Sequence, residues 1–136
     1  MSFGQSAPLQ AAVFAALTGD AQISALVGGN IYDAVPAGPL PATYVRLGSE
    51  SVTDASDLSG NGAIHQFTVS VITTDPGFAA AKTLAGAVSD VLQDAELSLT
   101  RGRLVSLRFE KAEATRADGG SSRQIDMRFR ARVSDE

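Results

Sequence analysis

Residues 125–133 read IDMRFRARV, and this stretch decides the fold class. Apolar side chains occupy every second position and alternate with one acidic and three basic residues. This period of two is typical of a strand that buries one face and exposes the other. Residues 65–71, HQFTVSV, repeat the pattern and place a histidine among the apolar positions. The two stretches therefore predict two half-buried strands.

The remaining strands are predicted on either side of these two. Val105, Leu107 and Phe109 alternate with polar residues, and Asp-Gly-Gly at 118–120 predicts a hairpin turn into the last strand. Toward the N-terminus, residues 31–33 and 44–52 predict two more strands. The segment between those two contains three closely spaced prolines, which favour a loop.

Three helices complete the pattern. The first is predicted over residues 7–18 with Ser6 as its cap, and the second follows the cap Asp20. The third begins after Asp75, with Pro76 in its first turn. Their apolar sides are formed by Leu9, Val13, Ala16 and Leu17, by Ile23, Leu26 and Val27, and by Ala81, Leu84, Ala85, Val88, Val91 and Leu92.

These elements follow one another in the order α-α-β-β-β-α-β-β. A chain of 136 residues has the usual length of one domain, so residues 1–136 are predicted to fold as a single unit. The sequence therefore predicts an α+β fold in which one mostly antiparallel sheet is covered by helices on one face.

Composition excludes several classes of protein. The chain is 44% hydrophobic and 19% charged, as an ordinary globular domain is. Without cysteine it has no disulfide framework and no thiolate zinc site. No apolar run approaches the roughly 20 residues that span a bilayer, and the first basic residue is Arg46, too late for a secretory signal. We expect synthesis in the bacterial cytoplasm and no contact with a membrane.

The sequence offers little to catalysis. His65 is the sole histidine, and its place among the apolar residues of its strand favours a structural role at the edge of the core. The glycine pairs follow neither phosphate-binding pattern, and no metal-ligand spacing occurs. We therefore expect no catalytic residues, no metal and no cofactor.

Four arginines form the most distinctive surface feature. Two interpretations of these arginines carry equal weight. They pair with Glu110, Asp126 and solvent, or they form an interface with carboxylates of another subunit. A nucleic-acid surface ranks third, because no exposed aromatic side chains interleave the charges. The arginines are Arg128, Arg130 and Arg132 on the last strand and Arg108 on its hairpin partner.

Charge is distributed unevenly along the chain. Residues 1–100 carry a net charge of −7, whereas residues 101–136 carry +3. A subunit with an acidic and a basic flank can bind copies of itself head to tail, and such contacts close into rings when the rotation permits. The charge pattern thus favours a homo-oligomer. The net charge of −4 argues against sequence-specific binding of nucleic acid.

Three strings together resemble a known family. They are LVGGNIYDAVP at 26–36, YVRLG at 44–48 followed by a polar loop and HQFTV at 65–69, and RF at 108–109 paired with RFRA at 128–131. Their order and spacing resemble the minor tail proteins of siphophage-like particles known as tail completion or tail terminator proteins. The resemblance extends from about Leu9 to Val133.

The resemblance implies a structural virion component. It implies a hexameric ring that ends tail-tube polymerisation and joins the tube protein to a head-side connector protein. DNA would pass through the lumen without being read, and an acidic wall would not retard it. The polar loop that contains Asp54, Asp57, Leu58 and Asn61 is then expected to face the lumen or the tube.

Two other functions remain open at this point. Phe14 lies off the apolar stripe of the first helix, so it is expected at a subunit contact or as the anchor of a monomeric adaptor on one partner. An enzyme would require a cleft in which His65 reaches Asp54 or Glu50.

Overall fold

The computed structural model describes residues 3–57 and 60–135. A single 3-10 turn at Asp118–Gly120 joins the last two strands. The predicted order of helices and strands is confirmed. The elements are α1 (Ser6–Thr18), α2 (Ala21–Val27), β1 (Ile31–Tyr32), β2 (Thr43–Asp54), β3 (Gly62–Thr73), α3 (Ala79–Leu92), β4 (Arg103–Ala117) and β5 (Ser122–Ser134).

The five strands form one sheet in the order β1-β2-β3-β5-β4. β1 runs parallel to β2, and all other neighbours are antiparallel. The last strand of the chain therefore lies in the interior of the sheet, between β3 and β4. Phe129 of β5 faces Phe67 on one side and Phe109 on the other.

The alternation of apolar and polar residues at 125–133 determines which face of β5 is buried. All five apolar residues of this strand are buried, from Ile125 to Val133. They belong to one cluster with Val69 of β3 and with residues of all three helices, such as Leu17 and Leu84. The helices thus cover one face of the sheet, as predicted, and the polar face of β5 stays outside that layer.

Two of the predicted helix boundaries are wrong. Ser6 lies inside α1, where Gln5 occupies the cap position. α3 begins at Ala79 without a side-chain cap, because the chain first turns through Gly77 at φ +74°. Asp20 does cap α2, since its carboxylate accepts a hydrogen bond from the Ile23 N–H at 3.0 Å. Leu26, predicted on the buried side of α2, is exposed.

β4 is longer and less regular than predicted. It extends to Ala117, although Phe109 is its last large apolar residue. The register with β5 shifts at Val105 and again at Glu110, so each is an extra residue in a β-bulge. Because it sits in a bulge, Val105 is 45% exposed and does not join the core as its spacing predicted.

α1 and α2 are short helices that pack on the sheet through buried apolar residues. Within the described ranges no single helix is long and apolar enough to cross a membrane. The two helices meet that test of length and composition only when taken together across a bend of 76°.

Phe129 is expected to contribute strongly to stability. It is completely buried, and its ring centroid lies 5.7 Å from that of Phe67 and 5.8 Å from that of Phe109. Phe129→Ala should lower the free energy of unfolding by about 3–5 kcal/mol because it opens a cavity. The matched control Phe109→Ala, at a site 41% exposed, should cost about 1–2 kcal/mol. Urea unfolding of dilute protein measures both, and equal losses would contradict this account of the core.

Candidate interaction surface

The four arginines lie on the sheet face that the helices leave bare. Arg108 and Arg130 are direct cross-strand partners, Arg132 faces Ser106, and Arg128 faces Lys111. Like charges placed opposite each other on neighbouring strands repel. The structure therefore brings the predicted arginines together, around a shallow depression of about 440 Å³ that Arg108, Arg130 and Arg132 line.

The carboxylates nearest in sequence form no salt bridge with these arginines within the described residues. Glu110 instead accepts hydrogen bonds from the Gln66 amide at 3.1 and 3.2 Å. Asp126 accepts them from the Ser70 hydroxyl and from the Gln124 amide.

The ion pairs that do form involve other basic side chains. In the described part, the salt bridges of exposed arginine and lysine are Arg101–Asp135 and Lys111–Glu113. The guanidinium of Arg132 donates to the Ala55 carbonyl at 3.3 Å, which satisfies a hydrogen bond but no charge. Within one copy, Arg108, Arg128 and Arg130 therefore have no salt-bridge partner among the described residues.

In and beside the loop between β2 and β3, the carboxylates of Asp54 and Asp57 accept hydrogen bonds from neighbouring residues. The Asp54 carboxylate accepts from the Ser56 hydroxyl at 2.7 Å and from the Ser56 N–H at 3.1 Å. These bonds stabilise the charged form and lower the pKa of Asp54. Asp57 similarly accepts from the Gly60 N–H at 3.1 Å. Both aspartates thus act as local turn residues.

The loop meets the arginine face at one end of the sheet. A depression of about 210 Å³ lies between the loop residues Asp57 and Asn61 and the basic residues Arg103 and Arg132. Leu58, predicted as part of the functional loop, lies outside the described residues. No group of three or more His, Asp or Glu side chains in residues 3–57 and 60–135 is arranged to hold a metal ion.

Phe14 lies on the other side of the sheet from the arginines, in the helical layer. It is 37% exposed, as predicted from its position off the apolar stripe of α1. Together with Phe3, Ala7 and Ala11 it lines an open apolar groove of about 650 Å³, with Glu50 at its margin. The predicted interface residues therefore form two separate surfaces.

His65 is buried more deeply than predicted. It is completely enclosed, and its Nδ1 lies 3.2 Å from a carboxylate oxygen of Glu50. The other oxygen of Glu50 accepts a hydrogen bond from the Ser6 hydroxyl. The adjoining cavity, lined by Leu9, Glu50 and other residues, has room for about one water molecule at 30 Å³. His65 does reach Glu50, and the Glu50 side chain also borders the open groove at Phe14.

The link from Ser6 through Glu50 to His65 was not predicted from sequence. Gly48 and Ser49 both lie opposite Thr68, so a bulge moves Glu50 onto the helix-covered face. A side chain at Gly48 would make a tight contact, because its Cβ would lie 3.3 Å from the Thr68 carbonyl oxygen. The bulge has no alternating pattern, so the inward turn of Glu50 cannot be predicted from sequence periodicity.

Comparisons with known proteins identify one family and one kind of particle. The sequence profile described as "Tail completion protein gp17" matches residues 11–134. A solved chain from a structure described as the virion of a native gene transfer agent particle is 55% identical in sequence. That similarity covers 98% of this chain and 99% of the other, with a TM-score of 0.93. The comparison with curated proteins gave no match.

The hydrogen bonds of Asp54 lead to a prediction about pH. Ser56→Ala removes the hydroxyl that most strongly lowers the pKa of Asp54, so this pKa should rise toward its ordinary value. Because the folded-state pKa is depressed, the contribution of Asp54 to loop order is present at neutral pH. It is lost as pH falls through that depressed pKa.

An NMR titration of the Asp54 carboxyl carbon measures the shift in Ser56→Ala. Ser51→Ala is the control, because the Ser51 hydroxyl bonds Gln66 in the same hairpin instead of Asp54. Identical titration of Asp54 in Ser56→Ala and in the unaltered chain would contradict this assignment.

Proposed function

The chain belongs to the family of tail completion proteins, structural components of virion tails, and we propose that it is a ring-forming tail terminator. Six copies form a ring at the head-proximal end of the tail tube. The ring ends polymerisation of the tube protein and joins the tail to the head-side connector protein. DNA passes through its lumen without sequence readout.

The solved relative supports a particle of the gene-transfer type or a related phage. It shares 55% of its residues with this chain, and the similarity extends over nearly the whole of both chains. We propose that residues 1–136 act as one terminator unit in such a tail, with no catalytic step. Full burial of His65, the sole histidine, supports a structural role.

The single observation that best supports a ring is the arginine face, the side of the sheet that the helices leave uncovered. Arg108, Arg128 and Arg130 form no ion pair within the described residues of one copy. A neighbouring copy can supply the missing carboxylates, because acidic residues are concentrated in the first hundred positions. Contacts between unlike surfaces are head to tail, and they close into a ring when the rotation between copies permits.

The loop between β2 and β3 is proposed to face the lumen or the tail tube. Asp54 and Asp57 keep it acidic and turn-like. An acidic wall repels the phosphate backbone, so DNA is not retained as it passes. Asn61, whose carbonyl accepts the Asp135 N–H at 3.0 Å, anchors the base of the loop to the end of the chain.

A monomeric adaptor is the second candidate, and the apolar groove on α1 favours it. Phe3 and Phe14 present aromatic surface that could anchor one partner protein. The two functions differ in mass. Native mass spectrometry and electron microscopy should show six copies of the 14.0 kDa chain in a ring. A protein that stays monomeric at high concentration and low salt would favour the adaptor.

Charge reversal tests the arginine face. Arg128→Glu combined with Arg130→Glu should abolish the ring and leave the circular dichroism spectrum intact, because both side chains are exposed. Lys82→Glu, the same reversal on the exposed side of α3, is the control and should assemble normally. Sedimentation velocity measures assembly. Rings of unchanged stability in the double variant would remove the arginines from the interface.

A further inference from the structure

The sheet has a vacant edge on β2. β1 pairs with β2 only at Val45 and Arg46. Among the described residues, no strand pairs with residues 47–54 on the side of β2 that faces away from β3. The side chains of this segment are exposed or half-buried. A stretch of eight residues therefore presents unpaired backbone groups to any strand that approaches.

The opposite edge, on β4, is half covered. The Gln93 side chain accepts a hydrogen bond from the Phe109 N–H at 2.7 Å. The Asp94 N–H donates to the Leu107 carbonyl at 2.8 Å. The end of α3 thus satisfies the first half of the edge. No described strand pairs with the outer side of residues 110–117, and nearly all of their side chains are exposed.

The backbone directions on the two edges match. Leu107 and Phe109 point their backbone groups away from β5, and after the bulge this alternation continues through Ala112, Ala114 and Arg116. On β2, the Ala55 N–H donates to Gly62 across the hairpin. The preceding alternate residues, Asp54, Val52 and Glu50, therefore point outward.

We propose that the sheet continues from one copy of this chain to the next through these edges. Ala112, Ala114 and Arg116 of one copy pair with Asp54, Val52 and Glu50 of its neighbour. β4 and β2 run in opposite directions within one sheet, so a ring rotation that preserves strand direction makes this junction antiparallel. The inference rests on the proposed ring and identifies its contact.

Side-chain chemistry supports the pairing with a second copy. Residues 110–117 carry two basic and two acidic residues, whereas residues 47–54 carry two acids and no base, so the bases of this junction come from β4. Ala114 comes opposite Val52, so two apolar side chains meet at the centre of the junction.

The offset between copies suits a closed ring. Ala112 lies level with Leu47 of its own copy, through Met127 and Val69, but would pair with Asp54 of the next. That offset is about six residue pairs of the ladder, or ~20 Å along the strand direction. One copy adds four strands to the continued sheet, which measure ~19 Å across the strands. The resulting strand tilt of about 45° is close to the tilt in closed barrels.

The same offset makes the other proposed contact possible. It brings the acidic loop of one copy level with Arg128 and Arg130 of its neighbour. It also ends the new ladder where β1 already occupies Val45 and Arg46 of the neighbour. The junction is therefore limited at that end by a strand.

Proline variants test the backbone ladder. Ala114→Pro and Val52→Pro each delete an N–H that points to the edge and is not used within the copy, a position where proline is tolerated. Each variant alone should raise the concentration needed for half-assembly by at least about tenfold. The controls Ala114→Ser and Val52→Thr keep the N–H and should form rings. Circular dichroism checks that each variant is folded.

Mixing the two variants identifies the partner edge. Ala114→Pro keeps an intact β2 edge, and Val52→Pro keeps an intact β4 edge. An equimolar mixture should therefore form one-to-one dimers and nothing larger, measured by native mass spectrometry. Dimers of Val52→Pro alone would indicate β4 pairing with β4 and would overturn the proposal.

A disulfide tests the register without relying on proline. The chain has no cysteine, so Ala114→Cys with Val52→Cys in one chain introduces a single possible pair. Residues opposite each other in a ladder lie within disulfide range. Oxidation should give covalent multimers up to the ring, whereas each single variant should give none. Rings that never cross-link would overturn the pairing.

Failure of the pairing and failure of the ring are distinguishable. If the unaltered chain never forms a ring, the proposed terminator function and the junction both fall. If the proline variants form rings as readily as their controls, the ring stands and only the strand pairing is overturned.

Discussion

The alternation of apolar and polar residues along β5 is the constraint on which the structure depends. This strand is last in sequence but interior in space, hydrogen-bonded along its length to β3 on one side and β4 on the other. Its apolar positions are all buried beneath the helices, so the hydrophobic effect fixes both its register and its face. The three arginines must consequently point together from the opposite face, and β4 must take the edge.

Patterns with a strong period predicted most of the fold. The strands at residues 65–71 and 125–133 were found because burial of one face imposes alternation, and Asp20 was found because capping requires its side-chain type. The second half of β4 was missed because an exposed edge imposes no alternation on its residues. The start of α3 was misplaced because Gly77, and not a capping side chain, decides where the chain turns.

The candidate surface was predicted only in part. The sequence placed the arginines on one face because their spacing follows the strand period, and the structure adds Arg108 directly opposite Arg130. It could not show that Glu110 and Asp126 are engaged by other polar groups, since Gln66 and Ser70 lie distant in sequence. The inward turn of Glu50 was hidden for a similar reason, because it depends on a bulge.

All the irregularities of the long strands lie in β2 and β4, whereas β3 and β5 pair over residues 62–73 without a shift. Bending of the sheet is thereby concentrated at its margins, and the packed centre stays uniform. Evolution can then alter curvature by inserting or removing a residue in an outer strand without disturbing the hydrophobic interior. One interior design could accordingly serve assemblies of several diameters.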